Sequence, residues 1–345
     1  MKTYKLQMHF LTPAFLGNAE QSGQWRTPPV KAQLRQWWRM AYFARHANHF
    51  DLEQMRQEEG KLFGNAWLDN NFSKSLVRLR LEHWKTGTLA KQHWQALEKV
   101  AHPEVRQQAP ADLYLGYGPV ILPRNAQTPT LKSNAAIQAG ETNQLSLAVP
   151  DEAAPLIEQA LWLMDRYGTL GGRSRNGWGS YSLLPLPSGE GWGEGKAVAM
   201  RNWQECLQLD WPHALGQDRK GALIWQTAPH ADWKALMKTL AVLKIGLRTY
   251  FKFTTGKDAP KPEERHWLSY PVTNHSVKPW GGNARLPNTL RFKVRPTADG
   301  QLVGVIFHIP HLPPATFTPN REAVERVWTQ VHQFLDAQPL TRIPE

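Results

Sequence analysis

The sequence predicts an α+β protein of two halves, and three observations carry that reading. Short runs that alternate apolar and polar residues recur along the whole chain, with helical stripes between them. In each half their order is compatible with a βαββαβ module, more clearly in the second half than in the first. Between the halves, Pro185 to Lys196 (PLPSGEGWGEGK) has the composition of a linker. The expected domains are residues 1–190 and 191–345. A chain of 345 residues suits two cores, because single cores rarely grow past about 250 residues.

The elements follow in order. Tyr4 to Leu11 reads as an opening strand with Tyr4, Leu6, Met8 and Phe10 on one face. From Val30 to His49 the pattern turns helical, with Val30, Leu34, Trp37, Ala41 and Ala44 forming an apolar stripe. Ser75 to Trp84 alternates, Val77, Leu79 and Leu81 opposing Arg78, Arg80 and Glu82. Tyr114 to Leu122 and Gln144 to Val149 are further strands, and Asp151 is placed to cap a helix reaching Tyr167. A glycine-rich loop leads to a strand over Trp178 to Leu184. In the second half come a strand at Ala222 to Gln226, a helix from Asp232 to Leu247 and a loop at Thr254 to Glu264, expected to be mobile. Strands Thr289 to Arg295 and Leu302 to Ile309 flank the Asp299-Gly300 turn, a hairpin signal. Val324, Val327, Trp328, Val331, Phe334 and Leu335 mark a closing amphipathic helix.

Composition narrows the function. With 41% hydrophobic and 20% charged residues the chain is globular rather than disordered. Forty-one Lys and Arg against 29 Asp and Glu give a formal charge of +12, which favours polyanionic partners through counterion release. Cys206 is the lone cysteine, so neither an internal disulfide nor a thiolate zinc cluster can form, as suits a reducing cytoplasm. The first residues are interrupted by Gln7, His9, Thr12 and Pro13 and read as a strand rather than a signal peptide. No stretch approaches the ~20 apolar residues of a membrane span, so a soluble protein without a membrane partner is expected. Sixteen Trp, 12 Phe and 8 Tyr serve either as core or as stacking surfaces for unpaired bases; composition leaves both open.

Three basic constellations stand out. Lys31, Arg35 and Arg39 lie four apart on one helical ridge, with no carboxylate between Lys31 and Phe50 to relieve them. The ridge is either a solvated face or a phosphate ligand, and Trp38 beside it is either core or a base platform. Gly168 to Ser180 (GTLGGRSRNGWGS) surrounds Arg173, Ser174, Arg175 and Asn176 with Gly171, Gly172, Gly177 and Gly179. Glycine lets main chain approach a ligand, and exposed amides beside two arginines suit a phosphate backbone. An ordinary helix-to-strand turn would need only one glycine and one arginine. The Walker pattern fails because Trp178 follows Gly177, and the Rossmann pattern fails because a helix precedes the loop. Finally, Arg291 and Lys293, with Arg295, alternate with Leu290, Phe292 and Val294, so one face is basic at a repeat of about 6.8 Å. That face either tracks RNA or protects an edge strand from aggregation.

Catalytic patterns are weaker. No HExxH, GxSxG or aspartate cluster occurs, so no metal or cofactor is expected. His9, His46 and His49 are the candidates for acid or base work in RNA cleavage.

Leu11-Thr12-Pro13, Phe15-Leu16-Gly17, Arg26-Thr27-Pro28-Pro29 and Lys31 to Arg39 (KAQLRQWWR) resemble, in that order, the opening of the first RAMP subunit of Cmr (type III-B CRISPR) effector complexes. Leu62-Phe63-Gly64, Arg265 to Val272 (RHWLSYPV) and Arg285 to Val294 (RLPNTLRFKV) are similar to further segments of that family, and Gly171 to Ser180 resembles the glycine loop of RAMP proteins generally. The sequence departs at Asn288-Thr289, where the family tends to a small residue followed by proline. The resemblance implies two ferredoxin-like (RRM-related) modules and a place near the 3′ end of the guide RNA, among other RAMP subunits, helping to capture target RNA. It implies binding without cutting, phosphate contacts dominating because base pairing reads the sequence. The rivals are a metal-independent endoribonuclease that matures guide RNA and a purely structural interaction protein whose charge only stabilises contacts with acidic neighbours.

Overall fold

Tyr4, Leu6, Met8 and Phe10 are buried while Lys2, Thr3, Lys5 and Gln7 are exposed, so the alternation read in the sequence becomes β1 (Lys2–Phe10). The computed structural model describes residues 1–66, 72–187 and 200–344. It falls into two units: Met1–Ala96, Gly116–Ala199 and Lys293–Pro296 in the first, and Leu97–Leu115, Met200–Phe292 and Thr297–Glu345 in the second. A single cut near residue 190 therefore misses the excursion over 97–115, and residues 188–196 of the expected linker lie outside the described residues.

In the first unit β1 is followed by α1 (Thr27–His46), α2 (Leu52–Phe63), β2 (Arg78–Leu81), β3 (Thr142–Val149), α3 (Ala154–Tyr167) and β4 (Tyr181–Leu184). The sheet runs β4-β1-β3-β2, with every pair antiparallel. Helix α1 packs on α3, and Val30, Leu34, Trp37, Met40 and Ala41 fill the core. Pro28 and Pro29 suit the first turn of α1, where amide hydrogens have no intrahelical acceptor. Asp151 does not cap a helix; its carboxylate takes the amino group of Met1 at 2.8 Å, and a 3-10 turn precedes α3.

The expected strand Tyr114 to Leu122 is instead a short helix, Ala111–Gly116, a turn and the two-residue strand Val120–Ile121. Gly116-Tyr117-Gly118-Pro119 explains the break: Gly118 sits at φ +115°, where a continuing strand cannot run. The strand read over Trp178 to Leu184 shortens because Gly177 and Gly179 have φ of +89° and +65°.

The second unit carries β5 (Ile224–Gln226), α4 (Trp233–Tyr250), β6 (Leu290–Pro296), β7 (Leu302–His308), α5 (Arg321–Asp336) and β8 (Thr341–Arg342). The last four residues of β6 count with the first unit. The sheet order is β6-β7-β5-β8, and β5 is antiparallel to both β7 and β8. Asp232 caps α4 through the amides of Lys234 and Ala235, which fixes its start as the sequence suggested. His308 and His332 are buried and linked at 2.9 Å, and Thr289 meets His308 at 3.0 Å. Burial pushes His332 down to about 3 and His308 well below the usual histidine range.

The loop expected to be mobile is fastened. Glu263 accepts from the amides of Thr254 and Thr255 and from both hydroxyls, and Ser276 binds the amide of Asp258. These contacts hold the Glu263 carboxyl down to about 2, against the opposing effect of its burial.

Candidate nucleic-acid interface

The glycine loop grows out of the end of α3. Gly168 ends the helix, its amide bonded to the Met164 carbonyl at 2.8 Å, and Thr169 bridges Ser180 across the loop mouth. The loop is clamped onto residues 12–15: Gly172 N–H donates to the Phe15 carbonyl at 3.0 Å, Gly179 N–H to that of Pro13 at 2.8 Å, and the Thr12 hydroxyl to that of Gly177 at 2.8 Å. A methyl group on Gly171, at φ +95°, would lie 2.7 Å from the Phe15 oxygen, and one on Gly179 would overlap the Leu170 carbonyl. Two of the glycines are thus needed for close packing of the loop itself.

Several amides that the sequence leaves open to a ligand are consumed here, those of Gly172, Asn176, Gly177 and Gly179 among them. Among the described residues the amides of Gly171, Arg173, Ser174 and Arg175 meet no internal acceptor. Three successive N–H groups with Arg173 in the left-handed region, φ +56°, have the form of an anion-binding nest. Holding a non-glycine residue there costs about 1 kcal/mol.

Arg173 and Arg175 are both exposed, Ser174 and Asn176 half-buried. Among the described residues neither arginine pairs with a carboxylate. Arg173 Nε donates instead to the Tyr117 carbonyl at 2.5 Å. Next to Tyr117, at Gly118 and Pro119, opens a groove of about 270 Å³ lined by Phe15, Gly17, Gly23, Gly118, Pro119 and Lys132, among others. Lys132 is exposed, and Arg26 crosses to the Gly17 carbonyl at 2.6 Å, bringing the start of α1 to the groove. Tyr117 is 66% exposed beside Arg173, an amphipathic ring available for stacking. Sequence reasoning misses Tyr117, Lys132 and Arg26; the GYGP turn is the available signal, hidden inside a stretch that reads as strand.

Three of the candidates, Arg35, Arg39 and Trp38, are engaged inside the fold. Arg35 and Arg39 both donate to Glu59 Oε1 at 2.6 Å, and Arg39 Nη2 reaches Oε2 at 3.0 Å. The ridge therefore has a counterion, supplied by α2, and Glu59 itself is 1% exposed. Lys31, in the second turn of α1, is half-buried, and its ammonium is pushed down by burial and then by Arg35. Trp38 is core rather than a platform, 2% exposed and packed against Tyr42 and Phe63.

On β6, Arg291 and Lys293 are buried, so the basic face is neither an RNA track nor a solvated edge. The Lys293 ammonium donates to the carbonyls of Met164, Gly168 and Tyr181 at 3.2, 2.8 and 2.7 Å, and burial pushes it down to about 7. Its fixed acceptors are the main chain at the root of the glycine loop. Lys293 is a structural pin.

Of the histidines, His46 Nδ1 lies 2.9 Å from the Tyr42 carbonyl, and among the described residues no cluster of three metal-ligating side chains occurs. No helix among the described residues is long and apolar enough to cross a membrane.

A clamped glycine loop carrying two arginines that meet no carboxylate among the described residues, with a groove beside Tyr117, is the arrangement the residues build; comparison with known proteins adds the family. The chain belongs to the RAMP superfamily, whose sequence model matches residues 7–182, a span that opens on β1 and closes in β4 just past the glycine loop. No curated protein matches the chain. Two solved structures are similar to it. One is the crystal structure of Cmr1 from Pyrococcus furiosus in the apo form, with 14% identity, a TM-score of 0.49 and coverage of 99% of this chain and 98% of that one. The other is a cryo-EM structure of the Type III-B Cmr-beta bound to cognate target RNA, with 12% identity, a TM-score of 0.45 and coverage of 95% and 99%.

Proposed function

We propose that this chain is a non-catalytic RNA-binding subunit of a type III-B CRISPR (Cmr) effector complex, working in the cytoplasm. In this reading it holds guide and target RNA near the 3′ end of the guide and contacts other RAMP subunits. Membership of the RAMP superfamily and the ordered resemblance from Leu11 to Val294 support the assignment. Both four-stranded sheets support reading the units as ferredoxin-like modules. In chain order their strands are arranged 4-1-3-2, a βαββαβ arrangement in each case.

The observation that carries the reading is the pair Arg173 and Arg175, exposed and without a carboxylate beside three successive free amides. Phosphate oxygens match that donor set, and no base edge is needed to satisfy it. Arg173, Ser174 and Arg175 bind phosphate, Tyr117 stacks on a neighbouring base, and Lys132 and Lys31 add charge along the groove.

The test is the salt dependence of single-stranded RNA binding by the Arg173→Ala/Arg175→Ala variant. Each lost phosphate contact should flatten the slope of log K against log salt by about 0.7. An unchanged slope removes the loop from the interface. Metal-independent cleavage of guide RNA by the purified chain would overturn the non-catalytic half of the proposal.

A further inference from the structure

One face of the first sheet takes no part in the loop or the groove. Helices α1 and α3 cover the side carrying Tyr4, Leu6, Met8 and Phe10; the opposite side stays open, with Lys5, Gln7, Arg78, Arg80 and Gln144 all exposed. Strand register sets the positions of its charges. Arg80 and Lys5 both sit opposite Ser146, from β2 and β1 respectively, so they flank it in one row across the sheet. Arg78 lies two residues along β2 in the next row, opposite Ala148 and thus in line with Thr3. Adjacent strands are about 4.8 Å apart and same-face neighbours about 6.8 Å apart. Lys5 and Arg80 are therefore separated by roughly 10 Å, and Arg78 from Arg80 by about 6.8 Å.

None of the three cations has an ion-pair or hydrogen-bond partner among the described residues. Lys2, on the helix side of the same strand, shows the contrast: it is paired with Glu158 at 2.6 Å. A single carboxylate, Glu82, follows on the same edge as Arg80, so three cations face one anion. The outward positions of β1, β2, β3 and β4 hold no Phe, Tyr or Trp. The one ring at these positions is His9, half-buried near the end of β1, so the surface offers mainly charge and neutral donors from Gln7, Gln144 and Ser146.

We infer that this open sheet face is a second RNA-binding surface, which tracks an extended ribose-phosphate strand through Lys5, Arg78 and Arg80 without reading bases. The inference deepens the RNA-binding reading and rests on it. An acidic protein segment is the other class of polyanion. RNA is the favoured occupant because the same unit carries Arg173 and Arg175 beside free amides, a donor set that matches phosphate oxygens.

Anisotropy of a fluorescein-labelled oligouridylate, titrated with the full chain at several salt concentrations, tests it. The Lys5→Gln/Arg78→Gln/Arg80→Gln variant should lower the salt slope by about two, from three contacts at about 0.7 each, and weaken binding at least tenfold. The loss should be the same on oligoadenylate and on an abasic strand. Should the triple variant fail to fold, Lys5→Gln and Arg78→Gln taken singly should each remove about 0.7 from the slope. If the folded variant binds like the parent while Arg173→Ala/Arg175→Ala does not, the sheet-face inference is overturned and the loop reading stands. A sheet variant that keeps RNA affinity and loses only assembly with partner subunits overturns the inference in the same way. Absence of RNA binding by the parent chain would overturn both.

Discussion

Arg173 and Arg175 stand on a loop whose own main chain is pinned by Thr12, Pro13 and Phe15; among the described residues neither guanidinium meets a carboxylate, though the Tyr117 carbonyl holds Arg173 Nε and burial pushes Arg175 down. Arg291 and Lys293 stand on a strand buried on both faces, where the ammonium of Lys293 is spent on three carbonyl oxygens. The two stretches carry similar charge and opposite duties. What separates them is whether internal acceptors converge on the cation: carbonyls absorb Lys293, a carboxylate absorbs Arg35 and Arg39, and neither absorbs Arg175. Net charge thus overstates the cations available to a partner.

The largest effect in this contrast belongs to the buried cation. Lys293→Ala takes the shared donor from three carbonyls, of which that of Met164 keeps the Gly168 amide, and should destabilise the chain by about 3 kcal/mol in urea unfolding, from roughly 1.5 kcal/mol for each of the other two. RNA affinity per folded molecule should be unchanged. Reduced affinity with unchanged stability would place Lys293 with the loop arginines and dissolve the comparison.

Glu59→Ala sharpens it from the other side. Removing the buried carboxylate should cost about 2 kcal/mol and release two guanidinium groups. If counterion supply is what silences the ridge, the variant gains RNA affinity and its salt slope steepens. A slope equal to that of the parent would show that Arg35 and Arg39 point away from any bound strand.

The buried histidines give a pH signature confined to the second unit. His308 and His332 are held neutral in the fold, and the unfolded chain protonates them near 6.5. Their contribution is fully present above about 6.5 and is lost as pH falls towards about 3, the folded value of His332. The slope is about 1.4 kcal/mol per pH unit for each histidine. His332→Leu should flatten the fall in the urea midpoint between pH 7 and 5; an equally steep fall would assign the acid sensitivity to other groups, the buried His213 and His266 among them.

Smallest is the effect of the exposed pair on folding. Arg173→Ala/Arg175→Ala should change stability by no more than about 0.5 kcal/mol, as for surface positions generally, while RNA binding drops. A loss of several kcal/mol would make the loop arginines structural like Lys293.

Much of the fold is legible in the sequence because local signals coincide with tertiary ones. The Asp232 cap, the Asp299-Gly300 turn and the stripe of α5 each sit where their chemistry places them. What stays illegible depends on contacts distant in sequence. Glu59 lies 20 residues beyond Arg39, outside any scan of the helix for its own counterion. Alternation on β6 reports two chemically different faces but not what covers them, so burial of Lys293 leaves no local trace. The region between β2 and β3 is built from two-residue strands too short for periodicity, and there Tyr117 and Lys132 escape notice. The glycine loop is found for a sound reason, though Gly171 and Gly179 serve packing as much as ligand approach.

Photo-cross-linking a 4-thiouridine RNA to the full chain, followed by peptide mapping, compares the two regions in one experiment. Adducts are expected on peptides containing Tyr117 and residues 171–176, and none on residues 290–296. Adducts on 290–296 with a clean glycine loop would contradict the division between exposed and buried cations.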